Sequence, residues 1–339
     1  MDKVRFGLVG TGRITDWVLK GAFEDPRFVV QAVCSRTREN AEAFAAKYNI
    51  PDIYTDLDQM ASSPDVDAIY IGTPNHTHAD IAIKCLNHGK HVLCEKPFAS
   101  NAEEAQLMVA AARRNGVIIM EAMISTLNPN FAIVREEIKR LGTIRRYFSS
   151  YCQYSSRYDK FKEGTILNAF KPELSNGAVM DIGIYTIYPM ITLFGRPEKI
   201  EAQGIKLHTG VDGQGAVNFQ YKDMNATVLY SKIANSALPT EIEGEEGNLL
   251  LDKIHITGKV DYIPRRKTEQ GREQDYSSTS IGRPLDHSEY YYEIKEFIDI
   301  LESGEKESAV NSHENSLATM ETIDEIRRQM GVHYPADEA

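Results

Sequence analysis

Residues Phe6–Ile14, Phe-Gly-Leu-Val-Gly-Thr-Gly-Arg-Ile, carry an apolar strand straight into Gly10-Thr11-Gly12 and on into a helix-compatible stretch. A strand, a tight glycine turn and a helix N-terminus together offer backbone N–H groups and the positive end of a helix dipole to a pyrophosphate, with no Cβ at Gly12 in the way. The pattern nominates Gly10, Gly12, Arg13 and Ile14 as dinucleotide contacts. Thr15 stands where the fingerprint has its third glycine or alanine, which predicts a slightly wider spacing of helix and strand. An NAD site ordinarily places Asp or Glu about 20 residues further on, to hold the ribose 2′-hydroxyl. This chain reads Cys34-Ser35-Arg36-Thr37-Arg38 instead. A carboxylate there would repel a 2′-phosphate, whereas Ser35 can donate a hydrogen bond and Arg36 or Arg38 can bind phosphate bidentately. NADP(H) is the expected preference, with NAD(H) as the alternative.

Three further runs carry functional groups. A predicted strand Ala68–Ile71 ends in Gly72-Thr73-Pro74-Asn75-His76-Thr77-His78, and a predicted strand His91–Leu93 ends in Cys94-Glu95-Lys96-Pro97. Both runs fall at the carboxyl ends of parallel strands, where open α/β sheets bind ligands, so Thr73, Pro74, Asn75, His78, Glu95 and Lys96 join the cofactor candidates. The His76-x-His78 pair lacks a neighbouring Cys, Asp or Glu spacing that would complete a tetrahedral set, and no metal is expected. The third run, Gly177 to Tyr185, opens a predicted helix that reaches Phe194 and is closed by Gly195. Its i, i+4 spacing puts Asp181 and Tyr185 on one face. Pro189 cannot bond the carbonyl of Tyr185, which predicts a kink or local unwinding beside the tyrosine.

The elements that must position these groups follow from hydrophobic period. From Lys3 to about Glu121, strands at Val4–Val9, Val29–Cys34, Ile53–Tyr54, Ala68–Ile71, His91–Leu93 and Val117–Met120 alternate with amphipathic helices at Glu39–Tyr48, Ala79–Asn87 and Ala102–Arg114. After Ser125 one helix, Asn130–Leu141, precedes alternating segments at Ile144–Ser155, Ala216–Tyr221 and Ala226–Ser231, and the chain closes in helices at Tyr290–Leu301 and Glu314–Met330. The fold class is α/β: a Rossmann domain over 1–123, with a doubly wound parallel sheet, and a C-terminal α+β domain over 124–339 with a large, mostly antiparallel open sheet.

The glycine turn, Gly72–His78, the Glu95-Lys96-Pro97 triplet and the Asp181–Tyr185 helix together resemble the Gfo/Idh/MocA family of oxidoreductases over nearly the whole chain. That resemblance implies that Lys96 is the catalytic lysine, Asp181 a ligand of substrate hydroxyl, and Tyr185 the proton donor or acceptor. Tyrosine at 185 is similar to the branch with dihydrodiol dehydrogenases and NADP-dependent xylose dehydrogenases. Ile124-Ser125-Thr126 departs from it where the dihydrodiol group has a tryptophan and an arginine, which argues against an aromatic diol. The resemblance also implies a homodimer or homotetramer formed through the C-terminal sheet.

Oxidation of a secondary alcohol requires a base within hydrogen-bond reach of its oxygen while hydride departs. A phenol of pKa about 10 needs roughly two units of depression to serve near pH 8, about 2.7 kcal/mol, which one ammonium within about 4–6 Å supplies. Lys96 would be that ammonium and would also stabilise alkoxide charge. Asp181, accepting from a neighbouring hydroxyl, would favour polyhydroxylated substrates. The leading expectation is an NADP(H)-dependent oxidoreductase of a sugar, polyol or related compound. An NAD-dependent glycoside hydrolase and a non-catalytic dinucleotide-binding sensor are the alternatives.

Composition narrows the remaining classes. The chain has 339 residues, 42% of them hydrophobic and 26% charged, enough for two cores without staples. No apolar run is expected to approach the roughly 20 residues of a bilayer span. A net charge of −11 repels a phosphate backbone, so nucleic acid is not an expected partner, and Arg265-Arg266-Lys267 reads as a solvated loop. Cys34, Cys85, Cys94 and Cys152 form no Cys-x-x-Cys pair and read as buried reduced thiols. The sequence enters its first strand at once, leaving no room for a leader, and a cytoplasmic location is expected.

Overall fold

The computed structural model describes residues 3–266 and 276–338, so Lys267 of the basic cluster lies outside the described residues. The first six strands, β1 (Val4–Val9), β2 (Phe28–Cys34), β3 (Asp52–Tyr54), β4 (Ala68–Ile71), β5 (His91–Glu95) and β6 (Ile119–Ala122), form one parallel sheet in the order β3-β2-β1-β4-β5-β6. The helices between them are α1 (Arg13–Ala22), α2 (Arg38–Tyr48), α3 (Leu57–Ala61), α4 (His78–Asn87) and α5 (Ala102–Asn115). The order reverses between β1 and β4, and ligands of such sheets bind outside the carboxyl ends at that point.

Strands β5 and β6 depart from their expected bounds by two residues, for local reasons. Strand β6 begins at Ile119 rather than Val117, because Gly116 ends α5 in the left-handed region at φ 67° and the Val117 amide turns back onto the Ala112 carbonyl. Strand β5 continues through Cys94 to Glu95, so Glu95 is its last residue and Lys96 the first beyond it.

In the second unit, α6 (Ile124–Leu127), α7 (Pro129–Glu137), α8 (Tyr158–Lys162) and α9 (Ile184–Phe194) accompany eight strands. These are β7 (Ile144–Cys152), β8 (Lys199–Lys206), β9 (Asp212–Gln220), β10 (Asn225–Ser231), β11 (Thr240–Gly244), β12 (Gly247–Leu251), β13 (Val260–Pro264) and β14 (Thr279–Ser280). Their order is β14-β13-β12-β11-β7-β10-β9-β8, antiparallel throughout except for the parallel pair β7 and β10. The stretch Pro172–Phe194 is long and apolar enough by composition to cross a membrane, contrary to expectation. Most of it is buried inside the protein, so it is a core segment, and its apolar character comes from burial on all sides.

The last helices, α10 (Glu289–Ser303) and α11 (His313–Met330), change the expected division at 123/124. Residues up to Ile124 form the first compact unit together with His287–Met320 and the residues from Ala336, while Ser125–Asp286 and Glu321–Pro335 form the second. The return has a packing cause. Helix α10 lies on α1 at Gly21, where a Cβ would come within 2.7 Å of the Tyr291 amide, and the ring of Phe297 meets Phe6 at 5.8 Å. The Asn311 side chain donates to the carbonyls of Glu121 and Met123, and a ring nitrogen of His313 meets that of Ile119, which satisfies the edge of β6. Cys34, Cys85 and Cys94 are buried, whereas Cys152 is half-buried at the end of β7.

Candidate active site

The turn from β1 to α1 is shaped for close backbone approach. Gly10 has φ 104°, and a Cβ there would stand 2.6 Å from the Gly72 carbonyl oxygen. Gly12 is the N-cap of α1 with no side-chain cap, and no protein atom lies within 4 Å of the place a Cβ would take. Internal packing therefore does not require glycine at 12, and the uncapped N–H groups of Arg13, Ile14 and Thr15 leave clearance there for an anion. Thr15 is fully buried at the start of α1. Its hydroxyl donates to the Gly10 carbonyl at 3.0 Å, and it fits because Gly72, opposite, has no side chain: a Cβ there would meet Thr15 Oγ1 at 2.8 Å.

At the tip of β2, Ser35 is fixed through its amide to the Tyr54 carbonyl, and Thr37 caps α2 by accepting from the Asn40 amide. Arg38 leans along α2 onto Glu42 at 2.9 Å, while the charge of Arg36 reaches His76 and, after burial, helps lower its pKa. After β4, the Thr77 hydroxyl bonds back to Thr73 and to the Pro74 carbonyl, and Asn75–Thr77 form a single 3-10 turn before α4. His78 is fully buried, with Nδ1 2.9 Å from the Pro97 carbonyl and Nε2 3.0 Å from that of Thr73. Its ring joins the tip of β4 to the tip of β5 and has no nitrogen to spare for a metal with His76. The whole expected cofactor set thus gathers at the carboxyl ends of β1, β2, β4 and β5, and its uncapped helix start and carboxylate-free β2 tip fit a phosphorylated dinucleotide.

Near Lys96 the unit buries the carboxyls of Glu95 and Glu121, and Glu293 lies within the field of Glu95. Glu95 accepts from the Tyr70 hydroxyl at 2.8 Å, and burial pushes it up to about 7 against the opposing pull of Tyr70 and Lys96. Glu121, on the neighbouring strand, is pushed up to about 8 by burial, opposed by Ser316, the Phe98 amide and Lys96. Glu293, from α10, is shifted upward by burial and by the charge of Glu95. Carboxyls that keep their protons leave the field of the Lys96 ammonium less neutralised. Sequence reading reached Glu95 but missed Glu121 and Glu293, which are isolated acids in otherwise apolar or helical runs.

The second unit presents Asp181 and Tyr185. From Gly177 to Ile191 every residue is buried except these two. The segment does not hold α geometry throughout: Val179–Gly183 is a π-helical turn, and α9 follows. The departure lies one turn before Tyr185, around Asp181, rather than at Pro189, which α9 accommodates. Its start is fastened by Asp212, a buried carboxylate accepting from the amides of Ala178 and Val179 at 2.9 and 2.8 Å. Burial raises Asp212 to about 6 in spite of these bonds and of the nearby Lys232. Asp181 is ion-paired with Lys232. The Tyr185 ring stands edge-on to Tyr151 at 5.7 Å, and Tyr151 stacks on His255 at 4.1 Å. Burial lowers His255 to about 4, so that ring is neutral near pH 7. Tyr151 had the signal of alternation along β7, facing the same side as Tyr147; Lys232 and His255 had none.

Residues 4–123 match the family profile described as "Oxidoreductase family, NAD-binding Rossmann fold", and residues 133–250 match the C-terminal domain of the same Gfo/Idh/MocA family. The chain belongs to the Gfo/Idh/MocA oxidoreductase family. Among its relatives in the family, the scyllo-inositol 2-dehydrogenase (NADP(+)) of Bacillus subtilis (strain 168) is 46% identical over 99% of this chain and 100% of its own. The trans-1,2-dihydrobenzene-1,2-diol dehydrogenase of Xenopus tropicalis is 31% identical over 90% of this chain and 91% of its own. The fold is shared with aldose-aldose oxidoreductase from Caulobacter crescentus, at a TM-score of 0.83 and 19% identity, over 96% of this chain and 97% of that one.

The buried carboxyls give the family member a pH signature. The unfolded chain releases the Glu121 proton near 4.5, the ordinary value for glutamate, the folded chain only at about 8, so between these values the folded state holds the extra proton and stability falls as pH rises. Glu121→Gln should flatten the fall in unfolding free energy from pH 5 to pH 8, read by urea denaturation at each pH. Parallel wild-type and mutant slopes would contradict the assignment.

Proposed function

We propose that this chain is an NADP(H)-dependent dehydrogenase of a sugar, an inositol or a related polyol. The observation that carries the reading is the 46% identity along the full length of an NADP-dependent scyllo-inositol dehydrogenase. The absence of a carboxylate from Ser35–Arg38 supports the same cofactor choice. When bound, the dinucleotide supplies or accepts the hydride at nicotinamide C4.

The roles we assign to the protein's own residues concern the proton and the charge. Lys96, backed by carboxyls that burial keeps protonated well above their usual range, stabilises a developing alkoxide. Asp181, ionised beside Lys232, accepts from a substrate hydroxyl, which selects polyhydroxylated compounds. Tyr185 carries the proton, its ring held edge-on by Tyr151. Gly10, Gly12, Arg13, Ile14, Thr73, Pro74 and Asn75 bind the dinucleotide through backbone and helix-end groups, with Ser35, Arg36 and Arg38 on its 2′-phosphate. For assembly we assign the outer face of the eight-stranded sheet, where Phe148, Leu229 and Leu250 are half-exposed, to a homodimer or homotetramer, and a single-chain mass by light scattering would remove that assignment.

Initial rates with inositols, aldoses and trans-diols under NADP+ and NAD+ test the reading. Arg36→Ala should lower the NADP+/NAD+ ratio of kcat/KM about tenfold or more, the value of one charge-assisted hydrogen bond. Tyr185→Phe should lower kcat by roughly 10²–10⁴-fold. An unchanged cofactor ratio removes the arginine from the phosphate site, and full kcat in Tyr185→Phe makes Lys96 the direct proton carrier.

A further inference from the structure

Lys232 directly follows the last residue of β10, and its backbone is held on both sides. Its amide donates to the Gly213 carbonyl at 2.8 Å and its carbonyl accepts from the Ser155 amide at 2.9 Å. The next two amides, Ile233 and Ala234, are gathered by the Ser231 hydroxyl, so the chain turns sharply just after the lysine. Only 6% of the Lys232 side chain is exposed. An ammonium placed that deep is costly unless an anion meets it. Two carboxylates face it. Asp212, from β9, is committed to the amides of Ala178 and Val179, while Asp181, from the π-helical turn, makes the direct ion pair. Other ionisable groups beside this cluster are Tyr230 on β10, fully buried and raised by burial and by Asp212, and Tyr334, whose hydroxyl reaches the same Gly177 that Asp212 meets; Tyr185 follows four residues beyond Asp181.

The pair is asymmetric in its exposure. Asp181 is 34% exposed, against 6% for the lysine, so the acid is the member that reaches the surface, on the same side as Tyr185. Whatever meets Asp181 therefore meets a carboxylate with a buried cation behind it. An opposite charge at that range favours the ionised form, and an ionised carboxylate only accepts hydrogen bonds.

We propose that Lys232 is a positioning residue of the active site, holding Asp181 ionised and aimed so that it receives a substrate hydroxyl. This rests on the dehydrogenase reading above and extends it. Lys232 touches no reacting atom; it acts through Asp181, and by denying Asp181 a proton it leaves Tyr185 as the proton carrier on that face. The wider π-helical turn fits this role, since such turns break the regular helix at functional positions.

The test uses the full-length enzyme with NADP+ and scyllo-inositol as probe, comparing wild type with Lys232→Met, Lys232→Gln and Lys232→Arg. In the Met and Gln variants the acid limb of the kcat/KM profile should move up by about 1–3 pH units, the shift an opposite charge produces at this range. KM should rise more than kcat falls, and arginine should restore most of both. A lysine with a merely structural role would lower activity or stability without moving the limb. Carboxyl-carbon NMR titration reads the same claim without activity: the signal missing from Asp181→Asn should titrate higher in Lys232→Met than in wild type. An unmoved titration in a folded variant overturns the proposal. Wild-type silence with every polyol, beside a shifted titration, would instead overturn the dehydrogenase reading and leave the pair standing.

Discussion

The parallel pairing of β10 with β7, inside a sheet otherwise antiparallel, is the constraint on which the second unit's cluster of Tyr151, Asp181, Asp212 and Lys232 depends. Tyr230 pairs with Tyr151 and Ser231 with Cys152, so the two strands finish together. That shared end delivers Tyr151 and Lys232 from segments about 80 positions apart in the chain, and the start of β9 brings Asp212 to the same end. An antiparallel pairing would have sent Lys232 to the opposite end of β7. The first unit obeys the same rule in simpler form: every strand is parallel, so Gly10, Ser35, Gly72 and Glu95 collect along one edge.

The two units solve the cost of buried charge differently. Near Lys96 burial raises Glu95 and Glu121, and Glu293 beyond Glu95, so these carboxyls take protons more readily than exposed ones. At Asp181 the compensation is a counterion, Lys232, with Asp212 spent on two backbone amides. A proton leaves a lysine's field available to a ligand, whereas a counterion keeps a carboxylate ionised. Each device suits the role proposed for the group it serves, a cation for alkoxide charge and an anion for hydroxyl recognition.

Much of this was legible in the sequence because it is local. The glycine turn, the carboxylate-free tip at Ser35–Arg38, the Glu95-Lys96-Pro97 triplet and the shared face of Asp181 and Tyr185 all lie within single strand-turn or helical segments. What escaped is tertiary. Lys232 is an ordinary lysine until β10 pairs with β7, and His255 is a loop histidine until it stacks on Tyr151. The return of His287–Met320 to the first unit depends on α10 meeting Gly21 and Phe6, contacts that no hydrophobic period announces. Pro189 pointed to an irregular helix, but the capping of Ala178 and Val179 by Asp212 lies at the turn where the irregularity falls. Nor does the local sequence at Thr15 show that Gly72 supplies the room its side chain takes.

The central claim is net hydride transfer assisted by Lys96, and its most direct measurement is stoichiometry. Purified wild type and Lys96→Ala are incubated with NADP+ and scyllo-inositol, and NADPH is counted against the ketone formed. One NADPH per ketone in wild type, with a rate lower by about 100-fold or more in Lys96→Ala, is the expected result. Turnover of a glycoside without net NADPH, or equal rates in the two proteins, would contradict it.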